Sequence, residues 1–156
     1  MKIALTGAGG WVGAAIASAL VSQGHEVLPV RFQLGVARLQ AQDFSSAQLL
    51  IHAAYERRSR KPADVQRVKV NGSFALLDAA NAAGVRNVIF ISSVSAFDGC
   101  QSSYGKSKLQ VEQYVLAAGG LVVRPGMAFR DARRSIFGML TWHAQIPLLP
   151  VFDGGF

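Results

Sequence analysis

Tyr104 and Lys108 stand four residues apart in the run YGKSK. The residues after them, Leu109, Val111, Tyr114, Val115 and Leu116, carry the apolar spacing of a helix. On a helix, positions i and i+4 share one face, which puts an ammonium one turn from a phenol. The cation favours the phenolate and makes the tyrosine usable as an acid or base near neutrality. A serine closing the preceding apolar run, in Ser92-Ser93, would offer a hydroxyl to the same substrate oxygen. Taken alone, the Tyr-x-x-x-Lys spacing equally describes an exposed helix with a tyrosine on its edge. The surrounding elements have to decide.

The strongest of these elements is the start of the chain, MKIALTGAGGWVG. Ile3-Ala4-Leu5 reads as a buried parallel strand, and Ala14 to Leu20 as a helix. Between them Gly7, Gly10 and Gly13 are spaced three apart. Strand, glycine turn and helix N-terminus form the geometry that holds a dinucleotide pyrophosphate. Glycine permits a sharp turn and close backbone approach, while the free N–H groups and positive helix end face the anion. Gly24 caps the helix, and a second strand runs from Glu26 to Arg31. In such folds an acid at the end of this strand would select NAD, and an arginine would accommodate the 2′-phosphate of NADP. Here the strand ends Val30-Arg31-Phe32, which leans toward NADP and leaves NAD open. The plain alternative for Arg31 is a solvated strand end.

Further along, Leu49 to Ala54 reads as a buried strand whose small residues Ala53 and Ala54 would let a cofactor lie against the backbone. Asp43, before it, could approach the adenine. His52 reads as a packed or hydrogen-bonded histidine, since no partner spacing suggests a metal site. The charge run ERRSRK, 56–61, reads as a solvated loop. Ala63 to Gly84 reads as one long helix with Asn71 in its middle. Val88 to Ile91 and Leu121 to Arg124 complete the strands, and Asp131 to Gln145 reads as a helix. The segment Gln33 to Ala47 is short for a full strand-helix-strand unit.

The 156 residues suffice for one domain with a single core. Hydrophobic residues make up 51% and charged residues 16%, which suits a globular chain. Cys100 is the lone cysteine, so no intrachain disulfide framework or cysteine metal cluster is expected, and a cytoplasmic setting is the simplest reading. No apolar run approaches the ~20 residues that span a bilayer. The net charge of +7 suits a protein that binds phosphate-rich ligands; with no nucleic-acid motif beside it, a nucleic-acid partner is not expected.

The ordered set Thr6-Gly7-x-x-Gly10-x-x-Gly13, Asn71, Ser92-Ser93, Tyr104-x-x-x-Lys108 and Arg124-Pro125-Gly126 resembles the short-chain dehydrogenase/reductase superfamily. The glycine spacing is similar to that of its extended or atypical branch, the NAD(P)-dependent sugar-nucleotide epimerases and dehydratases. The resemblance implies an α/β fold, a Rossmann-type doubly wound parallel sheet with helices on both faces. It implies that Gly7, Gly10 and Gly13, with the Trp11 and Val12 backbone, cradle the pyrophosphate. Tyr104 would be the catalytic acid/base, and Lys108 would hold the nicotinamide ribose and lower the Tyr104 pKa. Ser93 would orient the substrate, with Ser92 as fallback. Asn71 would be structural or part of a proton relay, and Pro125 with Gly126 would form the turn beside the nicotinamide.

Extended members continue well past the Arg-Pro-Gly turn, so residues 127–156 would be the start of a truncated substrate-binding region, with the C-terminal substrate domain missing. The expected activity is an NAD(P)-dependent oxidoreductase or epimerase acting on a hydroxyl or carbonyl carbon of a sugar-nucleotide-like or small carbonyl substrate. A homodimer through the helix carrying the Tyr-Lys pair is also implied. The competing expectation is a non-catalytic NAD(P)-binding module or redox sensor.

Overall fold

The computed structural model describes residues 1–32, 34, 44, 46–59 and 61–126. The helix expected at 131–145, the region 127–156 and Asp43 lie outside the described residues.

Five short apolar runs form one parallel sheet: β1 (Lys2–Thr6), β2 (Glu26–Val30), β3 (Leu49–His52), β4 (Asn87–Ile91) and β5 (Leu121–Val123). The spatial order is β2-β1-β3-β4-β5. The chain passes from β1 out to β2, then returns across β1 to lay β3 on its other side. That reversal opens a crevice at the carboxyl ends of β1 and β3, the usual ligand position in open α/β sheets. The strand that lies beyond β2 in the six-stranded Rossmann sheet has no counterpart among the described residues, in keeping with the short 33–47 segment.

Alternation along the strands divides the core. Ile3, Leu5 and Ile51 face α1 (Trp11–Ser22), packing with Ile16, Ala17 and Leu20. Ala4, Leu50 and Phe90 face the opposite side, with Leu76, Leu77 and Ala80 of α3 (Gly72–Ala82) and Val111 and Val115 of α4 (Ser103–Ala117). Helices therefore cover both faces, as a sheet buried on both sides requires. The register sets Thr6 beside His52 and His52 beside Phe90, all on the α3/α4 face.

The long helix expected over 63–84 is continuous but not uniform. A short α2 (Pro62–Asp64) leads into seven residues of π-helix, Val65–Asn71, and then α3. Gly84 ends the run with φ +86°. The wider turn changes which residues face inward: Val68, Lys69 and Val70 are all buried, and Asn71 is exposed. Helix α4 begins at a serine cap, with the Ser102 hydroxyl accepting from the Gly105 amide at 3.0 Å.

Candidate active site

The glycine turn is held by the protein's own packing. Gly7 has φ +73°, and a Cβ there would lie 2.8 Å from the backbone of Ala53 and Ala54. A Cβ on Gly13 would run into the Gly7 carbonyl, whereas at Gly10 it would sit 3.2 Å from that oxygen. Ala53 and Ala54 thus meet Gly7 directly, so the small residues at the end of β3 serve the turn as well as the crevice. Helix α1 then starts at Gly10 with no side-chain cap and no acid in its first turn. Its positive end faces a cleft of about 520 Å³ lined by Gly7, Gly10, Trp11, Val12, Gly13, Phe32, Leu34, Ala53, Ala54, Tyr55, Glu56 and Arg57. An uncapped helix N-terminus behind glycines fits a dinucleotide pyrophosphate.

Seven of the residues expected to hold the cofactor line this cleft: Gly7, Gly10, Trp11, Val12, Gly13, Ala53 and Ala54. Arg31 is exposed at the end of β2 and is not among the lining residues; Phe32 and Leu34 form that wall. Pro125 follows β5, also outside the lining. In the 56–61 run, the Glu56 carboxylate accepts from the amides of Arg58 and Ser59, which folds the loop on itself, while Arg57 reaches the cleft.

Tyr104 and Lys108 occupy successive turns at the start of α4. Lys108 is only 5% exposed. Its ammonium donates to the Ile91 carbonyl at 2.7 Å and lies 4.5 Å from the centre of the Phe90 ring and 5.3 Å from that of Tyr55. Burial pulls its pKa down to about 8, with the Glu112 charge working in the opposite direction. Tyr104 packs edge-on against Tyr55, with ring centres 5.0 Å apart. Tyr55 also lines the glycine-turn cleft, so it physically joins that cleft to Tyr104.

One turn beyond Lys108, buried Glu112 accepts from the Arg124 guanidinium at 2.9 and 2.5 Å. Burial raises the Glu112 pKa, but Arg124, Ser92 and Lys108 together outweigh it and hold the carboxyl below its usual range. The buried Ser92 hydroxyl has no partner at hydrogen-bond distance among the described residues. Its dipole still falls near enough to Glu112 to favour the charged form. Ser93 is half-buried, and its hydroxyl accepts from the Ser95 amide at 3.2 Å. Of the two serines, Ser93 is the less buried.

Beneath the glycine turn, His52 is fully buried and bonded on both ring nitrogens, to Thr6 Oγ1 at 2.8 Å and Ser73 Oγ at 3.0 Å. It is a packed, hydrogen-bonded strand histidine, as its sequence setting suggested. No group of three or more His, Cys, Asp or Glu among the described residues is arranged to hold a metal.

Asn71 does not face the site. It is exposed and accepts from Gln66 Nε2 at 3.3 Å. Lys69 points inward in its place, 7% exposed, and donates to the Tyr55 hydroxyl at 3.0 Å. Tyr55 and Lys69 escaped the sequence reading. Tyr55 directly follows the flagged Ala53-Ala54, which was the available signal for it. Lys69 had none, because its direction depends on the π-helical turn.

The NAD dependent epimerase/dehydratase family matches residues 3–129. Ceramide reductase of Caulobacter vibrioides is 31% identical over 171 residues, covering 97% of this chain and 54% of that protein. Human UDP-glucose 4-epimerase is 33% identical over 70 residues, 36% of this chain and 20% of that protein. Among solved structures, a short-chain dehydrogenase/reductase superfamily protein from Agrobacterium tumefaciens with bound NAD superposes with a TM-score of 0.66 at 28% identity, covering 80% of this chain and 48% of that one. The chain thus spans about half the length, or less, of these relatives.

Proposed function

Because the chain belongs to the NAD-dependent epimerase/dehydratase family, we propose that it binds NAD(P) across the carboxyl ends of β1 and β3 and acts on a carbon bearing a hydroxyl or carbonyl. The observation that carries this reading is the joining role of Tyr55, which lines the glycine-turn cleft and packs on Tyr104 at 5.0 Å. In this reading the glycine turn and the Tyr104/Lys108 pair belong to one site.

In this reading the turn and the N-terminus of α1, from Gly7 to Gly13, bind the pyrophosphate. When bound, the nicotinamide supplies hydride exchange. Tyr104 takes the proton from the substrate hydroxyl, or returns it to the carbonyl oxygen in the reverse direction. Ser93 donates to the same oxygen and fixes its position. Lys108 holds the nicotinamide ribose, keeps the Tyr104 phenolate in reach, and is itself aimed by the Ile91 carbonyl. Pro125 borders the nicotinamide. NADP is the proposed cofactor, resting on the strand end Val30-Arg31-Phe32, which lacks an acid.

The substrate is a sugar-nucleotide-like molecule or a small carbonyl compound, in line with relatives named UDP-glucose 4-epimerase and ceramide reductase. The proposed domain is a single NAD(P)-binding unit over 1–156, with 127–156 opening a substrate-binding region. A homodimer through α4 belongs to the same proposal, since Leu116 stands 56% exposed on that helix. A cytoplasmic setting is in keeping with the lone free Cys100. No helix among the described residues is long and apolar enough to cross a membrane.

Fluorescence titration with NADPH and NADH tests binding, through Trp11 at the cleft. Turnover on a panel of nucleotide sugars, simple ketones and a ceramide then tests chemistry. No response to either cofactor would overturn the proposal. Binding without turnover, unchanged in Tyr104→Phe, would instead establish the chain as a cofactor-binding module. Tighter binding of NADH than of NADPH would remove the NADP assignment.

A further inference from the structure

Two lysines reach into the site, and the proposed chemistry uses only Lys108. The second, Lys69, is 7% exposed. Burying an ammonium costs free energy unless a partner offsets it. No carboxylate among the described residues lies within ion-pair distance of Lys69. The Glu56 carboxylate senses its charge only at longer range. Its polar partner is the Tyr55 hydroxyl at 3.0 Å, and its ammonium also lies 4.6 Å from the centre of that ring.

Lys69 is held in this direction from two sides. It rides on the π-helical turn Val65–Asn71, a rare distortion that recurs at functional sites. Its carbonyl accepts from the Ser73 hydroxyl at 2.6 Å, and Ser73 in turn meets His52 and, through it, Thr6 beside the glycine turn. The backbone of Lys69 is thereby tied to the cofactor turn.

Tyr55 is the recipient. Its ring lies 4.6 Å from one ammonium and 5.3 Å from the other and meets Tyr104 edge-on. It lines the cofactor cleft and also a small inner cavity that Lys69, Ser107 and Lys108 share. A phenol with its hydroxyl held by Lys69 has its ring fixed in position, and the Tyr104 ring packs against it edge-to-face at 5.0 Å. We infer that Lys69 and Tyr55 are positioning residues for the reaction, a second lysine–phenol pair that sets where the Tyr104 phenol stands. This inference rests on the proposed role of Tyr104 and extends it to a residue pair outside the Tyr-x-x-x-Lys motif.

The chain contains three tyrosines, Tyr55, Tyr104 and Tyr114. Incorporating meta-fluorotyrosine into the full chain gives a fluorine NMR signal for each, assigned by single Tyr→Phe variants. Tyr114, hydrogen-bonded to Asp78 and stacked on Phe74, is the internal control. Lys69→Met is expected to move the Tyr55 and Tyr104 signals by more than a linewidth, leave Tyr114 in place, and be reversed by Lys69→Arg. Tyr55→Phe keeps the ring but removes the acceptor, and should displace the Tyr104 signal in the same direction. It decides the matter if Lys69→Met does not fold.

With turnover in hand, Lys69→Met should lower kcat about 10- to 100-fold, the scale of a small misplacement of a reacting group. KM and NADPH affinity should change far less. An unmoved Tyr104 signal in both variants, or a displacement that arginine does not reverse, would overturn the inference. Failure of both NADPH and NADH to perturb the Tyr104 signal in any of the proteins would count against the cofactor reading instead, because the Lys69 comparison is made without cofactor.

Discussion

Thr6 Oγ1 and His52 Nδ1 lie 2.8 Å apart, and the direction of that hydrogen bond follows from its neighbours. The Ser73 hydroxyl proton goes to the Lys69 carbonyl, so Ser73 Oγ accepts from His52 Nε2–H. His52 Nδ1 is then an acceptor, and the Thr6 hydroxyl donates to it. The Thr6 oxygen in turn accepts from the Ala54 amide at 3.2 Å. One proton serves each link only if the imidazole is neutral and carries its hydrogen on Nε2. The chain joins the end of β1, the end of β3 and the π-helical turn, three elements that frame the site.

A neutral buried histidine makes the fold acid-sensitive. Burial, with a smaller contribution from Lys108, pushes the His52 pKa down to about 3 from 6.5. The unfolded chain therefore binds a proton below 6.5 that the folded chain refuses. Stability from this group is complete above pH 6.5 and declines as pH falls from there toward 3, by at most about 1.4 kcal/mol per pH unit. Urea unfolding at pH 7 and pH 5.5 should show this slope in the wild type and a flatter one in His52→Gln. Equal slopes in the two proteins would remove the neutral-imidazole account.

Lys108 loses its proton at lower pH than an ordinary surface lysine. Its folded pKa of about 8 lies below the usual 10.5, so the folded state favours the neutral amine. Below pH 8 the buried charge is a cost to the fold, and that cost is relieved as pH rises from about 8 to 10.5. Cofactor affinity should run the other way, because the ribose contact needs the ammonium. We expect NADPH affinity to fall several-fold between pH 7 and pH 9. Lys108→Met should keep or raise Tm at pH 7 while turnover drops about 100-fold or more. A pH-independent affinity in the wild type would remove Lys108 from the cofactor contact.

Gly7 and Gly10 should respond differently to the same change. Gly7→Ala meets both a φ of +73° and backbone atoms at 2.8 Å, whereas Gly10→Ala meets a carbonyl oxygen at 3.2 Å in extended backbone. Strain of the first kind costs about 1–3 kcal/mol. Denaturant unfolding should therefore rank Gly7→Ala well below Gly10→Ala in stability, with Gly10→Ala falling mainly in cofactor affinity. The reverse ranking would mean that the turn is held otherwise.

These contrasts mark what the sequence made legible. The strands were readable because each is a short apolar run with a turn signal behind it, and β1, β3 and β4 were placed to within one or two residues of their ends. The glycine turn was readable because Gly7, Gly10 and Gly13 sit between a strand and a helix. The helical apolar face after Tyr104 placed Tyr104 and Lys108 together on α4. The inward direction of Lys69 was not readable, since a 3.6-residue period carried through 65–71 takes no account of the π-helical turn. Arg31 was read from its place at a strand end, and only the fold shows that Phe32 and Leu34 form the cleft wall there. Tyr55 depended on a contact between the end of β3 and the start of α4, 49 residues apart in sequence, which no local pattern encodes.

Glu112 and Arg124 offer the last test, because one partner is buried and the other is not. The Glu112 side chain is 2% exposed and Arg124 45%, with two hydrogen bonds between them. Removing the guanidinium in Arg124→Met leaves an ionised carboxylate in the core beside Lys108. Loss of one partner from a buried ion pair is strongly destabilising, and the exposed side of Arg124 moderates that loss here. Glu112 is held below its usual pKa, so its contribution is present above that range and is lost as pH falls through the folded value. Arg124→Met should therefore destabilise most at pH 7 and least at pH 4, where the carboxyl takes up a proton. The double variant Arg124→Met/Glu112→Gln should recover much of the loss at pH 7 by removing the stranded charge. Activity should separate the two effects. If Glu112 also holds the Lys108 ammonium, the double variant regains stability while its NADPH affinity stays weak and declines from a lower pH than in the wild type. Recovery of both stability and affinity would confine Glu112 and Arg124 to the core and leave Lys108 aimed by the Ile91 carbonyl alone.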